Sequence, residues 1–227
     1  MSRLEIISLL GPPGAGKGTV SQQCRERGYA VLSTGNLFRE HMAQGTDIGN
    51  QAKEIIESGK LVPDSIVAAM VEEWLQKQVA RNVSVIFDGY PRTQNQIADL
   101  VEMRNRVAPE LPIKVIEFSV ADQVVIDRIC SRVVCSNKSC QAVYSRKQHG
   151  DITECVLCGG EIIRRSDDDR KVISERLLIY HSNKSSLVAG YHAADIEIIP
   201  FDVTDVSMAE MFPGFLKLTK FNQPELS

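Results

Sequence analysis

EIISLLGPPGAGKGT, residues 5–19, is a short, mostly apolar run that breaks into glycines and prolines around a single lysine. Gly11, four residues, then Gly16 and Lys17 match the G-x-x-x-x-G-K pattern of a phosphate-binding loop, set between a strand and a helix as that pattern requires. Glycines let backbone N–H groups turn inward around phosphate oxygens. The following helix offers its positive N-terminal end, and Lys17 is placed to reach the β- and γ-phosphates. Gly18 stands where Ser or Thr normally meets magnesium, and Thr19 follows it.

Outward from this loop, short apolar runs recur at AVLS (30–33), VSVIF (83–87), KVIEFSV (114–120) and DIEIIPF (195–201), with helical patterns between most of them. With EIISLL (5–10) they predict an α/β fold, a five-stranded parallel sheet flanked by helices. Between the second and third strands, TGNLFREHMAQ (34–44), DIGNQAKEIIES (47–58) and PDSIVAAMVEEWLQKQ (63–78) read as three helices. One crossover needs only one helix, so the surplus is an insert. The third strand runs into DGYPRTQNQ, and a carboxylate at Asp88 can organise the water shell of a phosphate-bound magnesium ion. Gly89 and Pro91 turn the chain, which sets Arg92 and Gln96 at the mouth of the sheet, where parallel α/β folds place ligands.

A second insert lies between a helix at 122–132 and a long helix within 167–190. It holds CSNKSCQAVYSRKQHGDITECVLCGG (135–160), and with it four of the six cysteines. Four residues separate Cys135 from Cys140, two separate Cys155 from Cys158, and fourteen separate the pairs. Both knuckles have zinc-site spacing, and Gly159 and Gly160 let the second turn tightly. Four thiolates would close a tetrahedral shell with no position left for water, so the expected metal is structural Zn²⁺. Cys24 and Cys130 fall on helical patterns and are expected to be buried apolar residues. His149 lies in this insert as a possible competing ligand, but the cysteines suffice; the histidines are given no role.

The chain has 227 residues, 43% hydrophobic and 24% charged, with a formal net charge of −3. That is a globular composition with no whole-chain attraction to nucleic acid or anionic membrane. The apolar run near the N-terminus is too short for a signal segment, and no run reaches the roughly 18 apolar residues of a membrane span. A cytoplasmic protein is expected, in which clustered cysteines are metal ligands rather than disulfide partners. Between 132 and 165 there are six Lys/Arg (132, 138, 146, 147, 164, 165) against three acids, with Tyr144 the one aromatic residue. A zinc-ribbon nucleic-acid module on a P-loop ATPase would call for a denser basic stripe with exposed aromatics. A switch or hydrolase has no use for a second nucleotide pocket. Transfer between two nucleotides needs arginines from several segments and a lid that excludes water, and Arg39, Arg92, Arg128, Arg132, Arg165 and Arg176 supply the arginines.

GPPGAGKGT, LSTGNLFRE, GKLVPD, FDGYPRTQNQ, DRICSR, CGGEIIRRSDDD and SERLLIYH, in this order from residue 4 to about 204, resemble the motifs of the adenylate kinase family, in its long form with a zinc-binding lid. The resemblance implies the P-loop NTPase fold, a core of 1–33, 64–131 and 169–227, a helical AMP-binding insert at 34–63 and a lid at 132–168. It implies that Gly14, Ala15, Gly16, Lys17, Gly18 and Thr19 cradle the phosphates of ATP, with Arg128 against its adenine and Val143 and Tyr144 beside it. Thr34, Arg39, Lys60, Leu61, Val62, Gly89, Tyr90, Pro91, Arg92 and Gln96 would hold AMP. Arg132, Arg165 and Arg176 would surround the phosphates in transfer, with Lys17, Arg92 and magnesium at Asp88. Gln96 suits adenine because an amide both donates and accepts at one base edge.

A monomer acting on ATP, AMP and ADP is implied; GTP as donor, or UMP or CMP as acceptor, is the alternative. Four departures stand out. Tyr90 replaces the usual Phe, and Val133 a common arginine. Arg170 and Lys171 replace acids, and FDVTDVSMAEMF lacks the usual Asp-Gly near the donor base. The first knuckle is also wider than the family's usual two residues, which is expected to loosen the metal site.

Overall fold

The computed structural model describes residues 4–58, 60–137, 139–140, 142–165 and 167–219, without the side chains at 48, 51 and 208. Lys138 of the charge count, Gly59 and Ser166 of the quoted motifs, and the expected core ends at 1–3 and 220–227 lie outside the described residues. Strands β1 (Ile6–Leu10), β2 (Ala30–Ser33), β3 (Val85–Asp88), β4 (Ile113–Ser119) and β8 (Glu197–Asp202) form one sheet in the order β2-β3-β1-β4-β8. Every pairing in it is parallel. The fifth strand starts two residues later than the apolar run suggests, because Asp195 takes a left-handed turn (φ 53°) after the preceding helix.

Period-two alternation splits the sheet's side chains into two apolar layers. On one face Ile6, Leu10, Val85, Phe87 and Val115 pack with α4 (Asp64–Ala80), α5 (Gln94–Val107) and α8 (Arg170–Ala193), through Leu75, Leu100 and Leu187. On the other, Ile7, Leu9, Ile86, Ile116 and Phe118 meet α1 (Lys17–Glu26) and α9 (Met208–Leu218), through Val20, Cys24, Met211, Phe212 and Phe215. Each fully buried side chain of this size is worth about 1.5–3 kcal/mol over an exposed one. Helix α9 starts at a capping box, in which Ser207 and Glu210 each satisfy the other's backbone N–H.

Helices α2 (Thr34–Gln44) and α3 (Asp47–Glu57) lie against each other, and both add to the first layer, through Phe38, Ala52 and Ile56. Helix α6 (Asp122–Cys130) packs on α8 through Val125, Ile129, Ile173 and Leu177. Cys24 is buried, but Cys130 is exposed, which corrects the expectation for it: α6 turns Ile129 inward and leaves its last residue on the outer side. A second, antiparallel sheet follows, with β5 (Arg132–Cys135) between β6 (Val143–Ser145) and β7 (Ile162–Ile163) and the short α7 (Arg146–His149) after β6. Its small apolar cluster contains Val133, Cys135, Tyr144, Cys155 and Ile162. Among the described residues no helix is long and apolar enough to cross a membrane.

Candidate active site

Gly16 (φ 98°) closes the loop after β1 and leads into α1, whose first N–H groups have no side-chain cap. A Cβ on Gly16 would overlap Met211 Sδ, so α9 underpins the loop from below. Lys17 bends back and donates to the carbonyls of Gly11 and Pro12, each at 2.7 Å. Burial lowers its pKa to about 8; Asp88 pulls it upward, while Arg92 and Arg132 add to the fall.

This loop forms the floor of a cavity of about 830 Å³. Gly14, Gly16, Lys17, Gly18 and Thr19 line it, with Thr34, Arg39, Lys60, Leu61, Val62, Asp88, Gly89, Pro91, Arg92 and Gln96 on the α2–β3 side. Arg128, Arg132, Val143, Tyr144, Arg165 and Arg176 belong to the same lining. Ala15 and Tyr90 lie outside the lining. Ala15 is packed in the core, and the buried Tyr90 ring sits 5.6 Å from Phe87 with its hydroxyl donating to Gln96 O at 3.2 Å.

Thr34 donates its hydroxyl proton to Gly89 O (2.9 Å), so toward a ligand it can only accept. Arg92 Nε donates to the same carbonyl (2.7 Å), which anchors the guanidinium at the turn. The Arg92 backbone N–H donates to Gln96 Oε1 (2.7 Å), and Gln96 Nε2 donates to Asp64 Oδ1 (2.6 Å). Asp64 is a residue the motif reading passed over, although it closes GKLVPD.

Three of the arginines, Arg39, Arg132 and Arg176, are held by two buried carboxylates that also had no assigned role. Asp167 Oδ2 accepts from Arg39 Nη1 (3.2 Å) and Arg176 Nη2 (2.6 Å), tying α2 to α8. Burial would raise the Asp167 pKa, but Arg39, Arg176 and Arg165 outweigh it and hold it at about 2. Asp168 takes both Nε (2.9 Å) and Nη2 of Arg132. Arg165 has its pKa lowered to about 9, by burial first and then by Arg39 and Arg132. The run RSDDDR thus spends its acids on the arginines and its third, Asp169, on capping α8, where it accepts from Lys171 N at 2.8 Å. Arg128 Nη2 donates to Val203 O (2.9 Å) and Val206 O (3.4 Å), so the altered segment before α9 steadies it. Gln148 and His149 of α7, and Val206, Ser207 and Ala209, also line this end and were missed. The S-x-x-E pattern of residues 207–210 was a readable signal for a helix start there.

The four predicted cysteines converge. All four Sγ atoms lie within 4.8 Å of one another, with Cys135–Cys158 at 3.5 Å and Cys140–Cys155 at 3.6 Å. A tetrahedral shell with metal–sulfur bonds of about 2.3 Å sets sulfurs about 3.8 Å apart, so these residues could hold a metal ion. The wider knuckle still delivers Cys140, whose backbone N–H donates to Asn137 O at 3.0 Å. Gly160 makes the room, since a Cβ there would sit 2.9 Å from Cys135 Sγ. Burial opposes a thiolate at Cys155, yet hydrogen bonds with the Tyr144 hydroxyl (3.1 Å) and the backbone of Leu157 and Cys158 bring its pKa down to about 6. His149 points elsewhere, its Nδ1 3.1 Å from Ser145 O.

Known proteins resemble this chain over most of its length. The family model described as adenylate kinase matches residues 9–196. An adenylate kinase of Symbiobacterium thermophilum is 39% identical over 188 residues, covering 82% of this chain and 85% of its own. One from Chlamydia felis is 37% identical over 209 residues (92% and 94%), and one from Rhizobium rhizogenes 42% over 192 (82% and 87%). With the family model spanning most of the chain and relatives this similar over more than four-fifths of it, the chain belongs to the adenylate kinase family.

Proposed function

We propose that the protein catalyses the reversible transfer MgATP + AMP ⇌ 2 ADP, a reaction that balances the adenine nucleotide pool. The observation that carries this reading is one cavity lined both by the phosphate loop and by Thr34, Lys60, Leu61, Val62, Gly89 and Gln96, with arginines from α2, the turn after β3, α6, β5, the lid and α8 in the same lining. On this reading the segment 34–63 holds AMP, 132–168 closes as a lid, and 1–33, 64–131 and 169–227 form the core. The described cavity contains groups for both nucleotides within one chain, in keeping with a monomer.

Gly14, Gly16, Gly18 and Thr19 offer their loop to the ATP phosphates, while Arg128, steadied by two carbonyls, lies against the base. Lys17 exchanges its contacts with Gly11 and Pro12 for phosphate oxygens, whose negative charge favours its cationic form. Arg92, Arg132, Arg165 and Arg176 stabilise the oxygens of the phosphoryl group in flight, and Arg39 holds the AMP phosphate. Asp88, whose Oδ2 would lie 3.9 Å from a Cβ on Gly18 and so faces the start of α1, would hold magnesium beside the ATP phosphates, where the ion would offset their negative charge. AMP is dianionic near neutral pH, so its phosphate attacks in line without a general base, and no phosphoenzyme forms. Cys135, Cys140, Cys155 and Cys158 hold Zn²⁺ in a closed shell that shapes the lid.

The test incubates the protein with ATP, Mg²⁺ and each nucleoside monophosphate in turn, following ADP, and repeats it with GTP as donor. ADP formation from AMP and ATP supports the reading. Equal use of UMP would sink the acceptor assignment, and ATP consumption without any acceptor would sink transfer altogether.

A further inference from the structure

We infer that Asp64 is a specificity-determining residue, which selects the acceptor base by fixing which way round the amide of Gln96 faces. The inference rests on the acceptor pocket proposed above.

The Gln96 side chain lines the cavity yet is only 2% exposed, and both ends of its amide are engaged by groups of fixed character. The Arg92 backbone N–H can only donate, and it meets Oε1 at 2.7 Å. The Asp64 carboxylate can only accept, and it meets Nε2 at 2.6 Å. Turning the amide by 180° would set oxygen against carboxylate and NH₂ against N–H, converting two hydrogen bonds into two repulsions. The bond to Asp64 is the charge-assisted one of the pair, and therefore the stronger constraint. Asp64 is itself held: its Oδ2 accepts from Thr93 Oγ1 at 2.8 Å, and Thr93 Oγ1 in turn accepts from Gln96 N at 3.2 Å.

With the amide pinned, Gln96 has one lone pair on Oε1 and one hydrogen on Nε2 left to offer, in a fixed spatial order. A base satisfies it only by presenting a donor to the oxygen and an acceptor to the nitrogen in that same order. The amino group and neighbouring ring nitrogen of a 6-aminopurine do so. A 6-oxopurine carries the opposite order, an acceptor at position 6 and a donor beside it, and leaves buried polar groups unpaired. Asp64 thus acts through Gln96, as a positioning residue that need not touch the base.

The experiment compares AMP with IMP, which differ at this edge, as acceptors for the wild-type protein and for Asp64→Asn, Gln96→Ala and the double variant. Asparagine keeps the shape of Asp64, but its end can either accept or donate, which weakens the constraint. Wild type is expected to favour AMP in kcat/KM, and Asp64→Asn to shrink the AMP:IMP ratio at least tenfold through KM rather than kcat. In the Gln96→Ala background Asp64→Asn should leave the ratio where Gln96→Ala has put it. Calorimetric binding of AMP and IMP, with thermal melts, separates loss of selectivity from loss of fold. An unaltered ratio in Asp64→Asn overturns the inference, and so does an equal change in both backgrounds, which would mean that Asp64 acts independently of Gln96. A wild-type protein that turns over neither nucleotide overturns the proposed function, and this inference with it.

Discussion

Lys17 is held by two carbonyls of its own loop and has its pKa lowered to about 8 by burial, so its charge is lost within an accessible pH range. If that charge stabilises the phosphates, kcat/KM for MgATP should fall above about pH 8. Lys17→Arg should move this limb upward, and Lys17→Ala should cost orders of magnitude in turnover without lowering the melting temperature. A pH–rate profile of the three proteins checks this; a limb that stays put in Lys17→Arg would assign it to another group. Stability moves the opposite way. A lysine that titrates near 8 when folded and 10.5 when unfolded takes up a proton on unfolding between those values, so its contribution to stability rises with pH across that window.

Strand β6 is three residues long and serves two sites: Tyr144 joins the apolar cluster of the cysteines, with its hydroxyl on Cys155 Sγ, while all three residues help wall the nucleotide cavity. Such a small sheet cannot stabilise itself by burial, and a metal on the four cysteines would supply what the cluster lacks. Removing the metal by chelation, or changing Cys155 to Ser, is expected to lower the melting temperature, with the lid unfolding before the core. Part of the low-temperature activity should survive, since Lys17 and Arg92 belong to the core. Metal content, melting curve and turnover on one sample decide it, and complete loss of turnover without any change in melting would contradict a structural role. The elements differ in how far the sequence disclosed them. The phosphate loop, the five parallel strands and α2 were legible because each rests on local period and punctuation. Strands of two to four residues in the lid are too short to display a period, and α9 was overlooked despite its capping pattern. The cysteine cluster was legible because metal-site spacing is itself local. Asp64, Asp167 and Asp168 were not, because their meaning lies in partners up to 128 residues away that only the fold brings close.

Across the whole molecule, Asp167 joins Arg39 of α2 to Arg176 of α8, and Asp168 fastens Arg132 at the base of the lid. Asp167→Asn keeps the size of the side chain but removes the charge, leaving Arg39, Arg165 and Arg176 to repel one another. A loss of about 1.5–3 kcal/mol is expected, the range for a hydrogen bond to a charged group, together with tighter binding of inorganic phosphate. Urea unfolding and phosphate titration measure the two effects, and a variant as stable as wild type would show the carboxylate to be dispensable. In wild type, with the Asp167 pKa lowered from 3.8 to about 2, its contribution is complete above the higher value and disappears as the pH falls through the lower. The two carboxylates also govern what this surface collects between turnovers. A basin of bare guanidinium groups would act as a general ion exchanger, picking up any polyanion it met. Here two counter-ions are resident and cannot diffuse away, so part of that exchange capacity is taken up before any ligand arrives.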